Sequence, residues 1–237
     1  MTTLEAQGLT LGYHGQAVVR ELDLRVDAGE VVALLGANGA GKTTTLLGLS
    51  GLVAASAGQV VLDGRPLGKV APDARARRGL AHVPEDRALF ADLTVRENLQ
   101  LGQHSRRKRI DDALDRCPEL RPLLDRRAGL LSGGEQQMLA MARALAAQPK
   151  VLLVDEMSLG LAPLIVERLL RMLSELAHET GCAVLLVEQH VEQALAVADR
   201  GYVLNRGDVA LEGTVEVLRD QRDELAASYL GDVLETG

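Results

Sequence analysis

Tryptophan is absent from this chain, phenylalanine occurs once and tyrosine three times. A stacking surface for single-stranded nucleic acid needs aromatic faces, so that class of binder is disfavoured. Excess positive charge is also missing. The net charge is −7 over 237 residues, whereas a generic nucleic-acid binder is normally basic. The one basic run, Arg106-Arg107-Lys108-Arg109, is followed at once by Asp111, Asp112 and Asp115, and reads as a solvated helix face rather than a nucleic-acid patch. No apolar run approaches the ~18 residues of a membrane span, and the N-terminus, MTTLEAQGLT, lacks a charged-then-apolar signal pattern. The two cysteines, Cys117 and Cys182, lie far apart with no histidine at metal-ligand spacing. They read as reduced core thiols in a reducing compartment. The expectation is a cytoplasmic protein whose membrane role, if any, comes through a partner.

What is present is ordinary for a soluble globular fold: 47% hydrophobic and 25% charged residues. Leu22, Leu24 and Val26 alternate with charged residues, as in a half-buried strand. Val31 to Leu35 is continuous and apolar, as in a strand buried on both faces. Lys42 to Leu52 follows as a helix broken near Gly51, then strands are expected at Gln59 to Leu62 and Leu80 to Val83. From about Leu93 to Ala147 helix formers dominate, which predicts a helical insertion. Strand and helix alternate again through Val151–Val154, Ile165–Ala177, Ala183–Val187 and a short helix at Val191–Ala198. Asn205-Arg206-Gly207-Asp208 is a hairpin signal between Tyr202–Leu204 and Val209–Leu211. The chain predicts an α/β sheet with a helical segment spliced into it.

The strongest chemical signal is GANGAGKT, Gly36 to Thr43, between a buried strand and a helix. It matches G-x-x-x-x-G-K-[ST], in which glycines let backbone N–H groups curl around phosphates at a helix N-terminus. Gly36, Ala37, Asn38, Gly39, Ala40, Gly41, Lys42, Thr43 and Thr44 are therefore candidate nucleotide-binding residues. Lys42 would reach the β/γ oxygens and Thr43 would ligate Mg2+. VLLVDE supplies the acidic partner: Asp155 to hold Mg2+ through water and Glu156 to orient and deprotonate an attacking water. LSGGEQQ, Leu131 to Gln137, reads first as a capping box of Ser132 with Glu135. Its two first-turn glycines each cost about 1 kcal/mol against alanine, which makes sense where the backbone must approach an anion. Ser132, Gly133 and Gly134 are then a second phosphate grip, best used if a nucleotide is sandwiched between two subunits.

These three motifs, in this order and spacing, resemble the ATP-binding-cassette (ABC) transporter ATPases over essentially the whole chain. The wording HVPEDRALF, LTVRENL, SLGLAP and SYLG is similar to the ATP-binding subunits of branched-chain amino-acid importers, and importers of urea and other amides share much of it. The resemblance implies a P-loop NTPase (RecA-like) core with an antiparallel β portion and an inserted helical subdomain at about 86–147, all within a single cassette over 1–237. It implies ATP and Mg2+ as cofactors and a second ATPase subunit, itself or a paralogue, as partner. It further implies integral-membrane permeases, a substrate-binding protein reached indirectly, no nucleic acid, and a place on the inner face of the cell membrane. Tyr13 sits where an aromatic stacks on adenine. Glu85 stands where the family usually has a glutamine that contacts Mg2+ and couples to the membrane subunits, with Phe90 nearby in an apolar loop cluster. Met157 replaces a usual proline, and Ser158-Leu159-Gly160-Leu161 lacks a common aspartate. The family's γ-phosphate histidine aligns with Gln189 rather than His190; a glutamine amide can donate the same bond without titrating near neutral pH. A soluble cassette ATPase of translation or DNA repair is a weaker match, since those usually carry two cassettes or long coiled-coil insertions. A small-molecule P-loop kinase would leave LSGGEQQ without a task.

Overall fold

The computed structural model describes residues 3–101 and 107–221. The chain opens with two long antiparallel strands, β1 (Thr3–Tyr13) and β2 (Gln16–Asp27). The buried β3 (Val31–Gly36) leads into α1 (Lys42–Ser50), and β4 (Ala55–Leu62) and β5 (Arg65–Pro66) return to the antiparallel layer. A short α2 (Pro72–Arg77) precedes β6 (Leu80–Val83). The helical stretch then comprises α3 (Val95–Gln100), α4 (Arg107–Arg116), two 3₁₀ turns at Pro118–Leu123 and Ala128–Leu130, and α5 (Gly133–Ala146). Finally come β7 (Val151–Asp155), α6 (Pro163–Thr180), β8 (Ala183–Val187), α7 (Val191–Leu195), β9 (Arg200–Asn205), β10 (Asp208–Thr214) and α8 (Val215–Asp220). Arg106, which opens the basic run, and the SYLG segment, Ser228 to Gly231, lie outside the described residues.

Two sheets result. One has the order β2-β1-β4-β5 and is antiparallel; the other has the order β10-β9-β3-β8-β7-β6 and is parallel except at β10. β3, β7 and β8 are buried at every position, as expected of strands covered on both faces. One face of this sheet shares a core with the helical stretch: Val83, Leu152, Val154, Val184 and Leu186 pack with Leu99, Leu114, Met138 and Leu139. The other face packs through Val32, Leu34, Leu153 and Leu185 against Leu4, Leu9, Leu24 and Val26 of the antiparallel sheet, with Leu46 and Leu49 of α1. Each such leucine or valine contributes about 1.5–3 kcal/mol by leaving water.

The elements fall where the sequence pattern puts them, but β4, α6, β9 and β10 extend beyond the expected bounds, while α1 and α7 are shorter. α1 stops at Ser50 because Gly51 adopts the left-handed conformation, φ 84°, and its N–H caps the helix. α7 covers Val191–Leu195 only, with Val197 and Ala198 packing beyond its end. The hairpin turn has Arg206 at φ 49° and Gly207 at φ 91°, the pair of positive φ values that a two-residue turn demands. β1 is the strand that simple alternation does not reveal. Leu4 and Ala6 are buried, then the register shifts at Gly8, φ 55°, and Leu9 and Leu11 take over the inward face. A bulge of this kind breaks a period of two.

Candidate functional site

The parallel strands deliver their C-terminal ends to one edge, where ligands bind in open α/β sheets. Gly36 ends β3 at φ 148°, and a Cβ there would lie 2.4 Å from the Leu204 carbonyl oxygen of β9, so only glycine lets the loop leave the sheet here. Gly41, φ 106°, would likewise drive a Cβ to 2.8 Å from Val19 Cγ2. Lys42 is 4% exposed; its ammonium donates to the Gly36 and Ala37 carbonyls at 2.9 and 3.0 Å and stands 3.5 Å from Glu156 Oε1. A cation held this way at a helix N-terminus is placed to exchange carbonyl contacts for phosphate oxygens.

Asp155 and Glu156 leave the end of β7 in different environments. Asp155 is 1% exposed, and burial pushes its carboxyl up to about 6, with a hydrogen bond from Thr43 and the charge of Lys42 opposing and Glu156 and Glu85 adding to the rise. Its Oδ1 atom is buried and has no partner among the described residues. No cluster of three or more His, Cys, Asp or Glu that could hold a metal occurs among the described residues. A divalent cation would therefore need Thr43 and Asp155 together with oxygens of the nucleotide, and the orphaned carboxylate oxygen fits that demand. Glu156 occupies the left-handed region at φ 40° and donates its N–H to the Val187 carbonyl at 3.0 Å. Its Oε2 accepts from the Gln189 amide at 2.6 Å. Lys42 and Gln189 thus hold the Glu156 carboxylate from two sides.

Tyr13, Asn38, Gly39, Gly41, Lys42, Thr43, Thr44, Glu85, Glu156 and Gln189 line one cavity of about 400 Å³, within the range of small-ligand sites. Gly36, Ala37 and Ala40 support it from the loop behind, and Ala37 O closes on Ala40 N at 3.2 Å. Tyr13 is 44% exposed at its mouth. His190 is exposed and sits at the start of α7. A larger cavity, about 650 Å³, lies near Lys150, Gly181 and Cys182, at the N-terminal strand edge, away from the phosphate loop.

Ser132, Gly133 and Gly134 do not line the phosphate-loop cavity. Ser132 caps α5 and makes the full capping box: its N–H donates to Glu135 Oε2 at 2.7 Å and its Oγ accepts from Glu135 N at 3.4 Å. Ser132 and Gly133 are exposed, so this helix end opens outward. Phe90 is 56% exposed rather than packed in the helical stretch. Its backbone is pinned there by buried Asn98, which donates to the Phe90 carbonyl at 3.0 Å and accepts from its N–H at 3.1 Å.

Three residues near the site are not evident from the sequence. Glu188 is fully buried between Val187 and Gln189; it accepts from Ser158 Oγ at 2.6 Å and Ser158 N at 3.1 Å, and burial holds its carboxyl above the usual range against those bonds. Arg87 and Gln137 bond across the gap between the loop after β6 and α5, Nε to Oε1 at 3.0 Å. HVPEDRALF and LSGGEQQ contain these two residues, but spacing alone does not show that the two segments meet. Met157 is buried in the core behind the acidic pair.

A family model described as "ABC transporter" matches residues 19–158. The chain is 41% identical over 225 residues to the high-affinity branched-chain amino acid transport ATP-binding protein BraG of Pseudomonas aeruginosa, covering 92% of this chain and 96% of that one. It is 36% identical over 241 residues to the lipopolysaccharide export system ATP-binding protein LptB of Escherichia coli, covering 98% of each. Among solved structures, an ATP-binding cassette described as a dimer in a post-hydrolysis state bound to ADP and Pi superposes with a TM-score of 0.81, at 27% identity, covering 90% of this chain and 98% of that one.

Proposed function

This chain belongs to the ABC transporter family and is an ATP-binding, ATP-hydrolysing transport subunit, and we propose that it powers import of branched-chain amino acids through integral-membrane permeases. The single observation that carries the chemistry is the Glu156 carboxylate, held between the Lys42 ammonium and the Gln189 amide over the phosphate loop. In this reading Glu156 takes the proton of the attacking water and Gln189 donates to the γ-phosphate region. Lys42 and the loop from Gly36 to Thr44 bind the phosphates, and Tyr13 faces the adenine. Thr43 and Asp155, with Glu85 beside them, would hold Mg2+, which when bound neutralises charge on the phosphates. Ser132 and Gly133 face outward, and with Gly134 they serve the nucleotide of a second cassette, itself or a paralogue. The loop through Glu85 and Phe90 contacts the permease, so the protein works at the inner membrane face while a substrate-binding protein acts on the far side.

Import of branched-chain amino acids is supported by the similarity to BraG and by the wording HVPEDRALF, LTVRENL and SLGLAP. The similarity to LptB over 98% of both chains supports a second reading, an ATPase of lipopolysaccharide export. Uptake of labelled leucine, isoleucine and valine in cells carrying Glu156→Gln in place of the wild-type gene separates them. Import predicts loss of uptake with normal envelope lipopolysaccharide. Normal uptake with a lipopolysaccharide defect would replace the import reading with the export one.

A further inference from the structure

Behind Lys42 and Glu156 lies a second cavity, about 430 Å³, walled by Thr43, His82, Glu85, Gln137, Asp155 and their neighbours. Three residues of its wall each carry a buried side-chain atom with no hydrogen-bond partner among the described residues: His82 Nε2, Gln137 Nε2 and Asp155 Oδ1. Gln137 is 2% exposed. Its amide cannot be turned to hide the donor. Arg87 Nε reaches the other end of the amide at 3.0 Å, and a guanidinium only donates, so that end must be Oε1 and the unpartnered end must be the N–H₂. An N–H₂ group cannot ligate a cation, and no direct bond joins it to Asp155. A water between them would accept from the first and donate to the second, as buried waters do for unsatisfied polar groups.

We propose that Gln137 is a positioning residue of the metal site in its own subunit: it donates to a water held by Asp155, in the outer sphere of the divalent cation. The proposal rests on the ATPase reading above. It gives Arg87 a role as well. Besides Gln137, the Arg87 guanidinium donates to Gln136 Oε1 at 2.9 Å, and Arg143 of α5 donates to the Arg87 and Ala88 carbonyls at 3.3 and 2.8 Å. Arg87 and Ala88 both sit at positive φ, 66° and 46°, a conformation that persists only where surrounding bonds impose it. The loop that ends in Phe90 is thereby fastened to the helix that begins with Ser132, Gly133 and Gly134. Whether the metal is bound is communicated through one amide and one guanidinium to both surfaces.

The absence of tryptophan makes the test direct. Phe90→Trp introduces the chain's one tryptophan on the exposed loop, and Glu156→Gln in the same chain keeps ATP intact. Binding of a fluorescent ATP analogue is measured with chelator and with Mg2+, and tryptophan emission is followed as Mg2+ is added to the ATP-loaded full-length protein. The parent is expected to bind the analogue and to shift its emission on adding Mg2+. Gln137→Met, which loses both ends of the amide, and Gln137→Glu, which keeps the acceptor for Arg87 and replaces the donor with a carboxylate oxygen, are expected to bind ATP in chelator as the parent does and to lose the shift. A parental shift in Gln137→Glu overturns the inference, because fastening Arg87 alone would then suffice. A parent that binds ATP without any Mg2+-dependent shift overturns it too. A parent that binds no ATP overturns the ATPase reading itself, and the inference with it.

Discussion

The Gln189 amide lies 2.6 Å from the Glu156 carboxylate, whereas His190, the next residue, is exposed at the head of α7. Alternation at a strand end sends consecutive side chains to opposite sides, and here it is the amide that faces the acidic pair. Gln189→Ala should therefore lower steady-state ATPase by ~10²–10³, the cost of losing one oriented donor, while His190→Ala leaves it near wild type. The reverse ranking of the two variants would place the functional side chain one residue later.

Glu156 and Lys42 should fail in different assays. If Glu156 is the base proposed above, Glu156→Gln, which keeps the shape but cannot take the proton, should lower single-turnover hydrolysis by orders of magnitude while MgATP stays bound and the protein accumulates as a dimer. On the proposed contact of Lys42 with ground-state phosphates, Lys42→Ala should instead weaken equilibrium binding of ATP. Wild-type turnover in Glu156→Gln would remove that residue from the mechanism.

Burial of Asp155 links stability to pH. Its carboxyl stands at about 6 in the fold against 3.8 unperturbed, so the folded state binds the proton more tightly. The stabilisation is full below pH 3.8 and is lost as pH rises through about 6. Two pH units correspond to about 3 kcal/mol at the upper end. Without divalent cation, wild type should therefore lose stability relative to Asp155→Asn across that window in thermal melts. Parallel melting curves for the two proteins would contradict the assignment.

The Ser158–Glu188 pair offers a test that separates shape from charge. Ser158→Ala leaves a buried carboxylate short of one donor, which costs about 1–3 kcal/mol and should appear as a lower melting temperature. Glu188→Gln can still accept from Ser158, so its melting temperature should fall less. Equal losses would mean that the loop after the acidic pair is not held by this bond.

Phe90 is more than half exposed, so Phe90→Ala should leave the melting temperature of the isolated subunit almost unchanged. A buried phenylalanine would cost roughly 3–5 kcal/mol on the same change. Co-purification with the permease from solubilised membranes should be lost, together with transport, while basal ATPase persists. A large drop in melting temperature would return Phe90 to a packing role.

The parts of the site carried by contiguous residues are legible in the sequence itself. Gly36 to Thr43 and Asp155-Glu156 each need one strand end and one turn, and local pattern reports both. β1 is obscured because the bulge at Gly8 shifts Leu9 and Leu11 out of phase with Leu4 and Ala6. Glu188 gives no sign because a charged residue beside an apolar run usually marks the exposed end of a strand, while here Ser158, thirty positions earlier, satisfies it in the interior. Arg87 and Gln137 lie fifty positions apart, and their meeting depends on how α5 packs against the loop after β6. The outward direction of Ser132 and Gly133 and the exposure of Phe90 are likewise properties of packing, not of spacing.

The order β10-β9-β3-β8-β7-β6 has a consequence for how the protein is made. β3, which leads into the glycine-rich loop, emerges from the ribosome early, yet its two neighbours β8 and β9 begin only at Ala183 and Arg200. Gly36 pairs with Leu204 itself. Until that segment arrives, the nascent chain holds a long apolar strand with both edges open and a nucleotide loop without its floor. Closing so long a loop is slow and leaves the intermediate prone to association. A ribosome-bound chain stalled before β9 should therefore be protease-sensitive and unable to retain ATP. Protease resistance and ATP retention should both appear abruptly as β9 clears the exit tunnel.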